Sequence, residues 1–426
     1  MTDSALPKSD SPDLHLVVAT EEENLAQLHA NSSEWRGALS LPAYLRREHI
    51  LVNQTLTRDG GLTAWMLIYA PSDTPRRVLC GCESIKKKAL LAKDGKVEDV
   101  VAHGVASVFC PPDARGKGYA GRMMLELGNR LKQWQVEEGA SCAFSVLFSD
   151  IGKEFYKARG WQNFPSAHIA LRAVDTVDGI DLREVGKVES KDLAGLCAVD
   201  EGLIRTRLRK PHAARKTAVA LIPDANTLDW HYAREDFVAN ELYGPNPTFM
   251  ASGRGAIVEA APGSRVWCYW VRVWTNAQEE APNTLHIMRL VVEDESYGIF
   301  TPASGEGADK IEDDRLVQAI AKLLAMATVQ AHRSGMQEVQ IWNPTSTTLA
   351  AARLVDADAA KVTREKESIA ALNWYGDGSW EDLDWGESST QCLGSTKNVL
   401  LTFLSVQREV WVVLDSTHDV RSSTIH

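Results

Sequence analysis

The sequence predicts a mixed α/β fold, of the α+β kind with a mixed sheet, built twice along the chain. Three observations lead there. The stretch Arg115-Gly116-Lys117-Gly118-Tyr119-Ala120-Gly121 stands between an apolar β-like run, Val100 to Cys110, and a helical run, Tyr119 to Glu138. A strand that enters a glycine loop and opens a helix suits an anion, because bare backbone can approach it and free helical N–H groups point at it. An antiparallel meander, rather than a single strand, precedes this loop. The same order of elements then returns in the second half.

Each element has its own signal. Leu14 to Ala19 is an apolar run that reads as a strand. Thr20 offers an N-cap with Glu23 three residues later, a capping box, and that helix runs to about Ala30. Ser40 and Pro42 open a second helix, which runs to about Leu56 and is broken by Gly60-Gly61. Leu62 to Tyr69, Val78 to Leu91 and Val100 to Cys110 form the meander, with Lys93-Asp94-Gly95-Lys96 as a hairpin turn. After the loop, Ala120, Met124, Leu127, Leu131 and Trp134 mark the buried face of a helix that Gly139 ends. Cys142 to Asp150 is a strand, Lys153 to Arg159 a short helix closed by Gly160, and His168 to Ala173 a last strand.

Composition limits the classes. The chain of 426 residues suits two domains, and 44% apolar with 24% charged residues is ordinary for a globular protein. No run of about 18 apolar residues exists, so no membrane span is expected. Residues 1–13 are polar and read as a disordered start rather than a signal peptide. Seven cysteines without framework spacing suggest reduced thiols and a cytoplasmic location, and Cys80 and Cys82 read as small apolar strand residues. A formal charge of −11 argues against general nucleic-acid affinity and favours a cationic substrate. No metal is expected.

Two readings of the loop compete. Gly116-x-Gly118-x-x-Gly121 fits the dinucleotide pattern, and Asp150 ends the next strand where a ribose-binding acid could sit. A dinucleotide fold, however, places its glycine loop after the first strand and alternates strands with helices. Arg115, Gly118 and Ala120 also fit Arg/Gln-x-x-Gly-x-Gly/Ala, and Phe155-Tyr156-Lys157-Ala158-Arg159-Gly160-Trp161 is similar to a Phe-Tyr-x-x-x-Gly-Phe segment. Loop, segment and element order together resemble the GNAT acetyltransferase superfamily.

That resemblance implies acetyl-CoA as cosubstrate. Its pyrophosphate would lie on the N–H groups of Gly116, Lys117, Gly118, Tyr119 and Ala120, with Arg115 adding charge. A main-chain N–H near Phe109 or Cys110 would hold the acetyl carbonyl. Tyr156 would give a proton to the leaving thiol, or merely pack on the cosubstrate. For the general base, His103 lies on the loop's strand, but alternation puts it opposite the small residues Ala102, Gly104 and Ala106, whose face is expected to meet the acceptor. A bulge would reverse that. Glu83 or a water relay is the alternative. His168 reads as a sheet histidine.

The second half reads as Ile180 to Val185, helices Asp192 to Leu208 and Thr227 to Leu242, and a meander of Gly255 to Ala260, Val266 to Trp274 and His286 to Val292. Helix Arg315 to Arg333, strand Val339 to Trp342, helix Ser346 to Leu354 and strand Val362 to Trp374 follow. Where a pyrophosphate loop should lie stands Glu293-Asp294-Glu295-Ser296, which would repel one. The expected organisation is therefore a start at 1–13, a catalytic GNAT domain at 14–174, a degenerate GNAT-like domain at 175–379 and a tail at 380–426. In the tail, Trp380 to Trp385 is acidic and aromatic, and Val399 to Val413 reads as a possible strand pair.

The stretch Trp230-His231-Tyr232-Ala233-Arg234-Glu235-Asp236-Phe237 resembles the fungal lysine N6-acetyltransferase family of lysine catabolism. The resemblance implies free L-lysine as acceptor. The alternatives are a protein-lysine or other amine acetyltransferase, and a non-enzymatic acyl-CoA sensor or scaffold. Helical spacing brings Arg234 and Glu235 close to His231. These residues would either close the acceptor pocket, with Arg234 on a carboxylate, or form an interdomain ion pair.

Overall fold

A computed structural model describes residues 6–72, 75–137, 142–209, 217–275, 281–294, 313–378 and 383–384. The first half begins with β1 (Leu14–Val18), α1 (Glu21–Trp35) and α2 (Leu41–Val52). The Thr20–Glu23 capping box is formed, and Ser40 caps α2 by accepting from the Ala43 N–H. The meander is β2 (Leu62–Tyr69), β3 (Arg77–Lys93) and β4 (Lys96–Phe109), turning at Asp94-Gly95 where both residues have positive φ. Then come α3 (Tyr119–Leu131), β5 (Cys142–Ser149), α4 (Glu154–Lys157), β6 (Gln162–Asn163) and β7 (Ala167–Arg172).

The second half runs β8 (Gly186–Val188), α5 (Leu193–Arg209), β9 (Thr217–Leu221), α6 (Ala225–Tyr243), β10 (Gly255–Ala261), β11 (Ser264–Val273) and β12 (Thr284–Val292). It continues through α7 (Asp314–Arg333), β13 (Glu338–Trp342), α8 (Ser346–Val355), β14 (Val362–Thr363), β15 (Ile369–Trp374) and β16 (Leu383–Asp384).

These strands form two mixed sheets of one design. One has the order β1-β2-β3-β4-β5-β15-β6, with β9 joined to β3 and β16 to β9. The other has the order β8-β10-β11-β12-β13-β7-β14. In each, three antiparallel pairings lead to one parallel pairing, β4 with β5 and β12 with β13. The repeat read from element order is therefore present in the pairing.

The last strands are exchanged. His168 to Ala173 was expected to end the first half's sheet, yet β7 pairs with β13, Val339 facing Leu171. β15 in turn crosses into the first sheet, Leu372 facing Val146 on β5. The division at 174/175 thus separates stretches of chain but not sheets. Both strands are apolar enough to suit either sheet, and alternation specifies a face rather than a neighbour.

Local differences have local causes. The helix expected to Glu138 ends at Leu131, and Gln135 takes a left-handed turn, φ +56°. Trp134 still packs on Trp65, ring centroids 4.8 Å apart, and donates to Thr63. Glu138 and Gly139 lie outside the described residues. The short helix after β5 is only α4, and the expected strand Val362 to Trp374 is broken by Ser368 at φ +57° into β14 and β15. Ile180 to Val185 is not a strand. Asp181 instead accepts the Arg183 N–H in a local turn, and the pairing strand is β8. β9, which no sequence signal identified, lengthens the first sheet by pairing with the far half of β3.

Residues 6–13, expected to be disordered, pack on α3. Leu6 joins the apolar cluster beneath that helix, and Tyr119 Oη donates to the Pro7 carbonyl. Of the tail, only Leu383–Asp384 is described, and Val399 to Val413 lies outside. Among the described residues no helix is long and apolar enough to cross a membrane, and the six described cysteines are free.

Candidate active site

The site follows from how β4 meets β5. Their parallel ladder closes at Gly104 and Val146, while β4 runs on to Phe109 and β5 to Ser149 outside it. Two strands that part in this way leave facing backbone groups available to an extended ligand. On its other edge β4 carries one extra residue against β3, since Glu83 faces Ala106 but Gly81 faces Phe109. Ser107 takes up the bulge at φ +55°, a left-handed conformation a serine rarely adopts.

The loop beyond β4 has bare backbone at two points. A Cβ on Gly116, φ +72°, would meet nothing within 4 Å. Gly118, φ +82°, is the N-cap of α3 and offers no side-chain cap. Ser9 Oγ lies 2.9 Å from where its Cβ would be. Arg115 turns inward, Nε donating to the Cys110 carbonyl at 2.9 Å and its guanidinium 5.5 Å over the Phe109 ring. Glu34 is 3.8 Å away. Lys117 Nζ is exposed and donates to the Asp113 carbonyl. Cys80 lowers the Cys110 thiol from its ordinary value, with the Ala120 N–H and the Arg115 charge helping and burial opposing.

The dinucleotide reading fails on two residues. A Cβ on Gly121 would come within 2.7 Å of Arg159, so this glycine admits a side chain from the segment after α4. Asp150, its candidate ribose acid, accepts the N–H and hydroxyl of Ser368 at 2.8 and 3.1 Å, tying β5 to β15.

Tyr156 on α4 is buried in the cluster under α3, its ring 5.0 Å from Phe155. Burial, then the Asp150 charge, pushes its phenol far above the ordinary value, so it keeps its proton.

The two candidate bases fall on opposite faces. His103 faces the α3 side, between Cys142 Sγ at 3.4 Å and Gln135 at 3.3 Å. Burial lowers it to about 4. The bulge that could have reversed its face lies beyond it on the strand, and alternation holds. Glu83 is on the face of Ala102, Gly104 and Ala106, under α1 and α2. It accepts from Ser107 Oγ at 2.6 Å. Burial raises its carboxyl to about 7, with the Ser107 bond opposing and the Glu48 charge adding.

Around Glu83 the helices place charges that sequence reading missed. Arg47 and Glu48 on α2 are both buried and paired, Nε to Oε1 at 2.7 Å. Tyr44 lies under the Arg47 guanidinium at 4.9 Å and donates to Asn31 on α1. Arg234 on α6 is buried within electrostatic range of Arg47, Glu48 and Tyr44, and burial lowers its pKa well below the ordinary value. It and His231 engage further partners. Glu235 turns the other way, receiving Arg272 at 2.8 Å and Arg254 at 2.6 Å inside the second half. Of that trio, then, Arg234 faces the first half, Glu235 is an ion-pair residue of its own half, and His231 meets Trp230 edge to face, ring centroids 5.3 Å apart. His168 is a sheet residue, accepting from Arg364. No pattern in Arg46-Arg47-Glu48 separates this buried pair from a solvated helix face.

Fold and site together define a class, and comparison with known proteins agrees. The chain belongs to the family described as LYC1 GNAT-like C-terminal domain, whose model matches residues 168–390, just over half of it. It is thereby a GNAT-type N-acetyltransferase family member. It is 25% identical over 264 residues to a protein of Yarrowia lipolytica called lysine acetyltransferase, a match covering 52% of this chain and 65% of that one. The match thus spans less than two thirds of that relative. An uncharacterized Saccharomyces cerevisiae protein, YGR111W, is 21% identical over 74% of this chain and 80% of its own. Among solved structures, a GCN5-related N-acetyltransferase from Kribbella flavida aligns over 84% of this chain and 70% of its own, with a TM-score of 0.45 and 18% identity. The N-myristoyltransferase of S. cerevisiae with bound myristoyl-CoA aligns over 91% and 85%, with a TM-score of 0.46 and 8% identity.

Proposed function

We propose that the chain is an acetyl-CoA-dependent N-acetyltransferase that acetylates the side-chain amine of free L-lysine. The observation that carries this reading is the buried cluster of mixed charge on the Glu83 face. Glu83 suits an ammonium group, and Arg234 suits a carboxylate. A free amino acid with a second amine has both. The name of the Yarrowia relative points the same way.

The residues at the loop fit the cosubstrate, because Gly116 and Gly118 leave bare backbone at the open end of α3. Acetyl-CoA, when bound, supplies an acetyl thioester. The N–H groups of Gly116 to Ala120 hold its pyrophosphate, and Arg115 and Lys117 add charge. The opening between β4 and β5 takes the extended arm, and a main-chain N–H at Phe109 or Cys110 polarises the acetyl carbonyl.

Freeing a lysine amine at pH 7 costs roughly 4–5 kcal/mol. Glu83 takes that proton, and a carboxyl raised to about 7 is matched to the task. Tyr156 holds a proton at Oη for the departing sulfur. His103 has no part in this scheme. The 14–174 stretch carries cosubstrate and base, and the stretch from 175 closes the pocket with Arg234.

The test is acetyl-CoA-dependent thiol release with free L-lysine, a diamine lacking the carboxylate, other amino acids and a lysine-containing peptide. Release strongest with free lysine is expected. Equal release with the peptide would sink the acceptor assignment, and no release with any of them would sink the enzyme reading.

A further inference from the structure

β4 ends at Phe109, which faces Gly81 on β3. One step further out, antiparallel pairing sets Cys110 opposite Cys80. Residues opposite one another in such a ladder point to one face, with Cα atoms about 4.5–5.5 Å apart. A disulfide spans about 4.4–6.8 Å between Cα atoms. Both side chains are on the α3 side. Cys80 belongs to the apolar cluster under that helix, Cys110 packs against it, and the two free thiols share a hydrogen bond. Cys80 Sγ is also 3.6 Å from Met123 Sδ.

The two thiols are unequal. Cys80 is fully buried, while Cys110 is only partly covered. Cys80, the Ala120 N–H and the Arg115 charge favour the Cys110 thiolate, and burial with the same shared bond keeps the proton on Cys80. The thiolate is the form that attacks an oxidant. An oxidant arriving from solvent therefore meets Cys110 first and finds Cys80 behind it. Cys82, two residues along β3 and buried, is within electrostatic range of Cys110 only.

The place matters as much as the pair. Cys110 lies one residue past the end of β4, so its backbone can make a small movement toward β3. Its carbonyl anchors Arg115 Nε at 2.9 Å, and Arg115 opens the glycine loop.

We infer that Cys110 is an oxidation site with Cys80 as its resolving partner, and that a hydroperoxide joins them in a reversible disulfide that closes the acyl-CoA site. The Cys110 thiolate attacks one peroxide oxygen, the O–O bond breaks and hydroxide leaves, which oxidises the sulfur to a sulfenic acid. The Cys80 sulfur then attacks Cys110, the S–O bond breaks, and the hydroxyl departs as water with the Cys80 proton. Two thiols have given two electrons to the peroxide. The bridge draws Cys110 toward β3 and takes with it the carbonyl that holds Arg115. A dithiol reopens it by exchange. The effect on acyl-CoA rests on the cosubstrate reading above, whereas formation of the bridge does not.

The test treats the reduced full chain with hydrogen peroxide, blocks the remaining thiols and maps the linked peptides by mass spectrometry. A Cys80–Cys110 bridge is expected. Titration calorimetry on the oxidised chain should show acetyl-CoA affinity lowered by roughly tenfold or more, and dithiothreitol should restore it. Cys80→Ala, a change outside the proposed site, should bind acetyl-CoA within about twofold of the wild type before oxidation. After peroxide it should form no bridge and leave a Cys110 sulfenic acid that dimedone traps. Cys82→Ala should bridge as the wild type does. Both thiols remaining free after peroxide, or a bridge from Cys110 to Cys82, would overturn the inference. So would a Cys80–Cys110 bridge that left acetyl-CoA affinity unchanged. Failure of the reduced wild type to bind acetyl-CoA would sink the cosubstrate reading, and the switch with it, even with the bridge mapped.

Discussion

Glu83 is the buried group on which the proposed chemistry rests. Its carboxyl is raised to about 7 because burial penalises the charge more than Ser107 relieves it. A carboxyl whose folded pKa exceeds its unfolded value of about 4.5 binds more protons in the folded state between those two points. Its ionisation therefore costs nothing below about pH 4.5 and removes stability as pH rises through about 7. Glu83→Gln should stabilise the protein at pH 8 by on the order of a few kcal/mol, a gain that shrinks toward pH 5. Urea midpoints at the two pH values measure it. A gain of equal size at both would contradict the raised carboxyl. The same variant should lose lysine-dependent thiol release by two orders of magnitude or more, the usual scale for a lost general base. Glu83 was legible only as one option beside His103. Strand alternation put His103 opposite Ala102, Gly104 and Ala106, where the structure has it, but no sequence pattern reveals that Ser107 sits in a left-handed bulge and reaches back to Glu83.

Among the elements, what was legible and what was not divide along a physical line. Helix starts were readable because their signals are local: Thr20 with Glu23, Ser40 with Pro42, Gly118 before α3. The meander and its turn at Asp94-Gly95 were readable for the same reason. Pairing partners were not, because β7 and β15 carry the same apolar signature and either sheet accepts them. Nor were the buried charges of α2, since Arg47 and Glu48 differ from a solvated pair only in what covers them. The exchange has a consequence for any dissection of the chain. Residues 1–174 alone would carry β7 with no sheet to join and leave the β5 edge open where Leu372 faces Val146. Unpaired apolar strands and open edges aggregate. The fragment 1–174 should be insoluble when expressed alone, and co-expression with 175–426 should recover soluble protein and lysine-dependent activity. A monomeric, soluble and active 1–174 fragment would contradict the exchange.

The molecule as a whole is one design used twice with unequal results. Both sheets keep a parallel pair, β4 with β5 and β12 with β13, and both carry a register shift on the edge before it. The first half keeps the glycine loop at that point. In the second, Glu293 pairs with Arg265 at 2.6 Å, and Arg207 donates to the Val292 and Asp294 carbonyls. Among the described residues at the end of β12, the charges are thus engaged within the protein. What the second half gives instead is α6, which lays Arg234 against α2 and joins the halves through Arg46 and Glu241 at 2.8 Å. One cosubstrate site and one acceptor pocket shared between halves is the central claim. Equilibrium titration calorimetry with acetyl-CoA tests it most directly, on the wild-type chain and on Gly118→Asp, which sets a side chain and a negative charge into the bare backbone of the first loop. The account predicts one acetyl-CoA per chain and loss of that binding in Gly118→Asp. Two per chain, or binding undisturbed by Gly118→Asp, would contradict it.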